Sequence, residues 1–357
     1  MQTKSDAKGK KITVTDVAGR EVQVKVPAEK VVVQYTGSGG AFLTMLALEG
    51  KDVAQKVAGW DNGLENYRND MYKQFVEAVP DLANIPDIGS IDNKTLNIEK
   101  IISLKPDVVF MPMNALDTIK DDINRFETAG IPTVVIDFHK ETLENHTKSI
   151  LLIGKIIGKE QRAKELSDYY TDQVNKVYSR VAALNKPKPT VYVECAQDPS
   201  TYGNSYASDC MWGAFVAKCG GKNIAEGKVT KASPLNPEYV IKSNPDVIIL
   251  TGSYWPKNPD SMKLGYTATA DDSRRLLVGF TKRQGWDALK AVRNNQVYSV
   301  NHGIARDIWD FVPIQYFAKC LYPNEFKDLD PEASMKEFHQ KFLPVEFGGV
   351  WTLDIKN

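Results

Sequence analysis

Residues 97–111 read NIEKIISLKPDVVFM and residues 236–250 read NPEYVIKSNPDVIIL. At one constant offset, Asn97 matches Asn236, Glu99 matches Glu238, and Pro106-Asp107-Val108 matches Pro245-Asp246-Val247. Each matched residue has a mechanical reason to be there. Asparagine caps a helix by accepting a hydrogen bond from its first free amides. A glutamate in the first turn suits the positive end of the helix dipole. A proline drives the residue before it out of the helical region, and the aspartate then precedes a wholly apolar strand. A helix followed by a buried strand, occurring twice, predicts two similar α/β lobes, each with a carboxylate at the start of its helix.

The pattern extends in both directions. Residues 12–26 alternate with period two around Ala18-Gly19 and read as a β-hairpin ended by Pro27. Val31–Tyr35 reads as a buried strand, followed by the loop Thr36-Gly37-Ser38-Gly39-Gly40 and an apolar helix from Ala41 to Leu48, the usual opening of an α/β domain. Strands at Val57–Trp60, Val108–Met111 and Pro132–Phe138 alternate with helices at Ile98–Leu104 and near Thr118–Ala129, which predicts a mostly parallel sheet. From Leu143 to Leu184 the strands stop, and Leu166, Tyr170, Val174, Val177, Val181 and Leu184 recur at helical spacing. One helix ends near Gly158. A second runs from about Glu160 to Ala183, stopped by Asn185-Lys186-Pro187-Lys188-Pro189, and reads as a stiff connector. The second block predicts strands at Thr190–Glu194, Val247–Thr251 and Gln296–Val300, with helices at Ala207–Cys219, Glu238–Ser243, Ile308–Leu321 and Pro331–Phe342. The expected plan is a flexible leader (1–10), an N-terminal lobe (11–158), a connecting helix (159–186) and a C-terminal lobe (187–357).

Composition bounds the function. The 357 residues suit two domains rather than one core, and 42% apolar with 25% charged residues is ordinary for a globular chain. Lysine plus arginine equals aspartate plus glutamate at 45 each, so no basic surplus points to nucleic acid. No apolar run is long enough to span a membrane and no signal peptide is visible. The polar opening Met1–Lys10 reads either as a cytosolic start or as the leader of a processed exported protein. Cys195, Cys210, Cys219 and Cys320 form no CxxC pair. Cys210 and Cys219 are expected on one helix but on opposite faces, so the cysteines read as buried thiols or one disulfide rather than metal ligands.

Further stretches carry a resemblance. They are Thr15-Asp16-Val17-Ala18-Gly19-Arg20, Ile88-Gly89 ahead of Asn97-Ile98-Glu99, Ile153–Glu160, Cys219-Gly220-Gly221-Lys222-Asn223-Ile224, and Gly285–Val292 before Val297–Val300. In this order and spacing the chain resembles the ABC-importer binding proteins for iron siderophores, cobalamin and haem, the type with a rigid interlobe helix. The resemblance covers nearly the whole chain. It implies two Rossmann-like α/β lobes joined by one long rigid helix, with ligand held in the cleft between them and only small opening motions. It also implies an extracytoplasmic monomer, periplasmic or lipid-anchored, that hands a metal chelate, a ferric siderophore first of all, to a dimeric permease with its ATPase. Residue chemistry alone reads Glu99 and Glu238 as dipole-stabilising carboxylates or as a pair matched to a two-fold partner with basic sockets. The resemblance favours permease docking.

Ligand contacts are not carried by motif. Loops at the carboxyl ends of the strands are expected to line the cleft, which selects Tyr35, Thr36, Ser38, Gly39, Trp60, His139, Tyr202, Tyr254, Trp255, His302 and Arg306. The aromatics suit a chelate, and Arg306 an anion, unless it pairs with Asp307 or Asp310. Trp60 and Trp255 are equally readable as core. His302 is the candidate for direct metal ligation; His139 and His146 are not expected to form a zinc site. Molybdate or tungstate would use the Thr36–Gly40 loop at the start of a helix, and cobalamin or haem the aromatics. No cofactor is expected. The rival class is a nucleotide-dependent α/β enzyme, but the GxGxxG and Walker A patterns are absent, as are the GxSxG and HExxH patterns. A purely adhesive protein would have no need of two equivalent lobes.

Overall fold

The structure, a computed structural model, describes residues 9–140 and 142–356. The expected leader lies outside the described residues as far as residue 8. Lys10, assigned to that leader, instead opens the first strand and pairs with Val26.

Two large sheets form, as the repeat requires, beside two two-stranded antiparallel pairs, Lys10–Thr15 with Glu21–Val26 and Asn204–Tyr206 with Ala232–Pro234. The first has four parallel strands in the order Val57–Trp60, Val31–Val33, Val108–Pro112, Thr133–Ile136. The second has five, ordered Thr352–Asp354, Val297–Asn301, Val247–Gly252, Thr190–Cys195, Lys222–Asn223. All its pairings are parallel except that of the terminal strand, Thr352–Asp354. The two repeat strands, Val108–Pro112 and Val247–Gly252, are interior to their sheets and buried throughout, which is why both are uninterrupted apolar runs.

The repeat helices, Ile98–Leu104 and Pro237–Ser243, are capped as expected. Asn97 accepts from the Lys100 amide, and Asn236 from those of Glu238 and Tyr239. The repeated aspartates do more than precede a strand. Asp107 accepts from the backbone amides of Glu29 (2.7 Å) and Lys30 (3.1 Å), and Asp246 from the Thr190 amide (2.7 Å) and hydroxyl (2.6 Å). Each therefore ties the start of the repeat strand to the start of its neighbour. Bonds from donors favour the charged carboxylate, and with Lys25 and Lys290 beside them both aspartates lie below the ordinary carboxylate range.

The Glu160–Ala182 helix buries Leu166, Tyr170, Val174 and Val177 on one face. That face packs on helix Leu143–Ile157 and on helix Phe311–Leu321, so one apolar core runs from the first sheet across the connector to the second. Gly154 permits the closest approach: a Cβ there would lie 2.1 Å from that of Ala163.

Several boundaries differ from the sequence reading. Helix 207–219 begins only at Met211, because Asn204–Tyr206 pairs with Ala232–Pro234 and the Ala207 amide extends that ladder to the Lys231 carbonyl. Cys210 and Cys219 consequently flank the helix rather than share it. No disulfide forms; Cys195, Cys219 and Cys320 are buried and Cys210 is half-buried. Helices Gly63–Tyr67, Asn69–Ala78 and Ala270–Phe280 were not anticipated.

Gly89, in the loop leading to the first repeat helix, has φ +75°, and a Cβ there would fall 1.9 Å from the Thr95 carbonyl oxygen. Gly89→Ala is expected to destabilise the protein by about 1–3 kcal/mol, measured as a lower denaturation midpoint with an unchanged slope.

Candidate ligand-binding cavity

A cavity of about 330 Å³ opens between the carboxyl ends of the two sheets. Gly37 and Ser38, from the loop after Val31–Val33, and Tyr67 and Arg68, at the end of helix Gly63–Tyr67, line it from the first sheet's side. Cys195, Gln197, Tyr206, Trp255, His302 and Arg306 line it from the second sheet's side. Among the described residues its lining includes two arginines and no carboxylate.

His302 follows the Val297–Asn301 strand, and the Gly303 amide bonds back to Asn301 Oδ1 (2.7 Å). Its Nδ1 lies 3.2 Å from Trp212 Nε1 and 2.7 Å from Thr251 Oγ1. An indole N–H can only donate, so Nδ1 accepts and the ring proton sits on Nε2. Burial, and then the charges of Arg306 and Arg68, lower the His302 pKa to about 3. The ring is thus neutral, with its Nδ1 lone pair engaged and an N–H as its remaining polar edge. That tautomer suits an acceptor ligand better than direct metal ligation.

Arg306 sits at φ +59°. Its Nη2 lies 3.7 Å from Cys210 Sγ, and its Nε is buried without a hydrogen-bond partner. Neither expected carboxylate takes it. Asp307 pairs with Arg68 (2.7 Å), and Asp310 accepts from the Tyr170 hydroxyl (2.7 Å) and faces His146. Among the described residues Arg306 has no ion pair, and its charge is uncompensated at the cavity wall.

Of the other candidates, Ser38 and Trp255 line the cavity, and Trp255 meets His302 edge-on at 5.3 Å. Thr36 does not: it is 4% exposed, its hydroxyl donates to Asp61 Oδ1 (2.6 Å) and accepts from the Leu64 amide (2.9 Å). The glycine loop is tight because it packs on its own chain. A Cβ at Gly40 would meet the Gln34 carbonyl at 2.1 Å, and one at Gly39 would meet His139 Cε1 at 2.4 Å. Thr36, Gly39 and Gly40 are thus taken up by contacts within the chain, while Gly37 and Ser38 of the loop reach the cavity. Tyr35 and His139 stack edge-on at 5.2 Å behind this loop, Tyr35 donating to Asp92. The buried His139 Nδ1 has no partner, and burial, then Arg306, holds the ring's pKa well below the ordinary value. Trp60 is core, 6% exposed and edge-on to Phe42 at 5.1 Å. Tyr254 is outside the cavity lining. Tyr202 lies elsewhere, under the Arg283 guanidinium and bonded to Trp286 Nε1, in an open groove of about 1030 Å³ that also reaches Glu238.

The repeated glutamates differ in their surroundings. Glu99 accepts from Arg125 (2.7 Å), whereas Glu238 has no ion pair among the described residues.

Comparison with known proteins agrees with this architecture. The family model described as periplasmic binding protein matches residues 32–302. The chain belongs to that family. This periplasmic binding protein is 49% identical to a solved structure described as the TroA-like periplasmic binding protein FepB from Veillonella parvula, covering 97% of this chain and all of that one with a TM-score of 0.93. It is 24% identical to the Bacillus subtilis ABC transporter substrate-binding lipoprotein YvrC, over 89% of this chain and 87% of the relative. It is 22% identical to the Haemophilus influenzae molybdate-binding protein MolA, over 96% and 91% respectively. The Bacillus subtilis relative is described as the substrate-binding lipoprotein of an ABC transporter, and the family is one of binding proteins. Among the described residues no helix is long and apolar enough to cross a membrane.

In the absence of ligand, the nitrogen-15 spectrum of His302 is expected to show the neutral Nε2–H tautomer, with no titration step between pH 8 and pH 5. A step near the ordinary histidine pKa would contradict the assigned geometry.

Proposed function

We propose that this periplasmic binding protein captures a compact anionic metal species outside the cytoplasmic membrane and delivers it to an ABC permease. A ferric chelate of the siderophore class is the first reading. The observation that carries it is the cavity with Arg306 unpaired, the neutral His302 ring in its wall and no carboxylate among its described lining residues. A cation would meet the unpaired Arg306 guanidinium there, because the Arg68 charge is already matched by Asp307. An anion gains charge-assisted hydrogen bonds in a desolvated setting.

Size and lining rank the ligands. At about 330 Å³ the cavity is near the small end of ligand sites. Tyr67, Tyr206 and Trp255 give its wall an apolar portion suited to the organic part of a small chelate. A molybdate-type oxyanion is the second reading, favoured by the unpaired Arg306, and it would use Arg306 and His302 rather than the packed Thr36, Gly39 and Gly40. The aromatics considered for haem or cobalamin are dispersed, Trp60 in the core and Tyr202 in a separate groove, which supports neither. The self-packed glycine loop likewise gives no support to a nucleotide-dependent enzyme.

A fluorescence and thermal-shift panel of ferric citrate, ferric catecholate and hydroxamate chelates, molybdate, haem and cobalamin tests the reading. Ferric chelates are expected to quench Trp255. Arg306→Gln is expected to weaken the best of them by about 1.5–3 kcal/mol, roughly 10- to 150-fold. Response to haem or cobalamin alone would refute the compact-anion assignment.

Glu99 and Glu238 are the proposed docking carboxylates for the permease. Because Arg125 already neutralises Glu99, Glu238→Lys is expected to reduce uptake more than Glu99→Lys, with ligand affinity unchanged in both. Equal uptake by both variants and the unsubstituted protein would remove the docking role.

A further inference from the structure

Arg68 was not singled out by its sequence, yet it is 2% exposed and reaches from one lobe into the other. It separates helices Gly63–Tyr67 and Asn69–Ala78, which follow the edge strand Val57–Trp60 of the first sheet. Its Nη1 donates to Asp307 Oδ2 (2.7 Å) and its Nη2 to the Ala305 carbonyl (3.2 Å), both on the turn after the second sheet's Val297–Asn301 strand. Two residues further on, Asp70 accepts from the Tyr266 amide at 2.9 Å. Gly265 makes that approach feasible: at φ +132° a Cβ there would fall 1.9 Å from Asp70 Oδ2. Gly303 does the same for Met71 and Arg68, with a Cβ 2.8 Å from Met71 Cε. Phe75 completes the contact, edge-on to Tyr266 at 6.2 Å. Segment 68–75 is therefore a wedge from the first lobe seated in the second.

The wedge is also part of the cavity wall. Arg68 lines the cavity beside Gly303 and Arg306. Arg306, the proposed anion anchor, and Asp307, which holds Arg68, are consecutive residues of one turn. A ligand that fixes Arg306 fixes the backbone carrying Asp307, and a formed Arg68–Asp307 pair holds the turn where Arg306 faces the cavity. Two events that bias one element are thermodynamically linked, each favouring the other by the same factor.

We infer that the buried Arg68–Asp307 pair is an interlobe clasp that couples closure of the two lobes to occupation of the cavity, with Arg68 as a positioning residue. The coupling rests on the cavity being the ligand site; the clasp itself does not. Both charges are desolvated, so loss of either partner strands the other and the clasp opens.

Amide hydrogen exchange of the ligand-free full chain tests the clasp. Asp307→Asn is expected to raise exchange about tenfold or more in 63–75 and 262–268 as well as in 302–307. The charge-swapped Arg68→Asp, Asp307→Arg double variant is expected to restore protection in all three. A change confined to 302–307, or a swapped variant that melts normally yet leaves 63–75 unprotected, would overturn the clasp. Affinities for ferric citrate and molybdate test the coupling. Arg68→Gln and Asp307→Asn are each expected to weaken whichever probe binds, by roughly 5- to 150-fold, and the two together by no more than the larger single loss. Additive losses would overturn the coupling. Failure of both probes to bind the unsubstituted protein would count against the compact-anion reading while leaving the exchange result to decide the clasp.

Discussion

The buried face of the Glu160–Ala182 helix is the constraint on which the rest depends. Leu166, Tyr170, Val174 and Val177 are shared between helices that belong to different lobes, so neither lobe has a complete core without the connector. A hinge of loop residues would let the lobes rotate freely. A helix of 23 residues with a common apolar seam is instead expected to limit them to small displacements about that seam. The carboxyl ends of both sheets are consequently held toward one another, and a cavity between them exists without being built by any single loop.

Under the proposed reading, charge governs what that cavity accepts. The aspartates near it are already engaged: Asp61 by the Thr36 loop, Asp307 by Arg68, Asp310 by Tyr170. Each is removed from the lining while its charge is satisfied elsewhere. The Arg306 charge is left without a partner, and the His302 proton is directed by an indole on the far side of the ring. Preorganisation of this kind costs stability locally and lowers the reorganisation needed when a ligand arrives.

Where the sequence was legible, the signal was local. The Ile98–Leu104 and Pro331–Phe342 helices are marked by their own caps and apolar spacing, and their bounds match the reading residue for residue. Asp107 and Asp246 were visible as a repeat, but their strand-tying role depends on residues 29–30 and 190, which only the fold brings near. The site was less legible for the same reason. An aromatic at or beyond the end of a strand reads alike whether it turns inward, as Trp60 does, or toward the cavity, as Trp255 does. Arg68 lies 239 positions from its partner and between two short helices with no warning pattern. Its importance arises entirely from tertiary contact.

The cysteines carry a consequence of another kind. None of the four takes part in a disulfide, and three are enclosed by the apolar core, where burial holds the thiols protonated. The lobes and their connector are thus held by packing, hydrogen bonds and ion pairs alone. The packing that joins the lobes therefore contains no sulfur–sulfur bond for a reductant to cut.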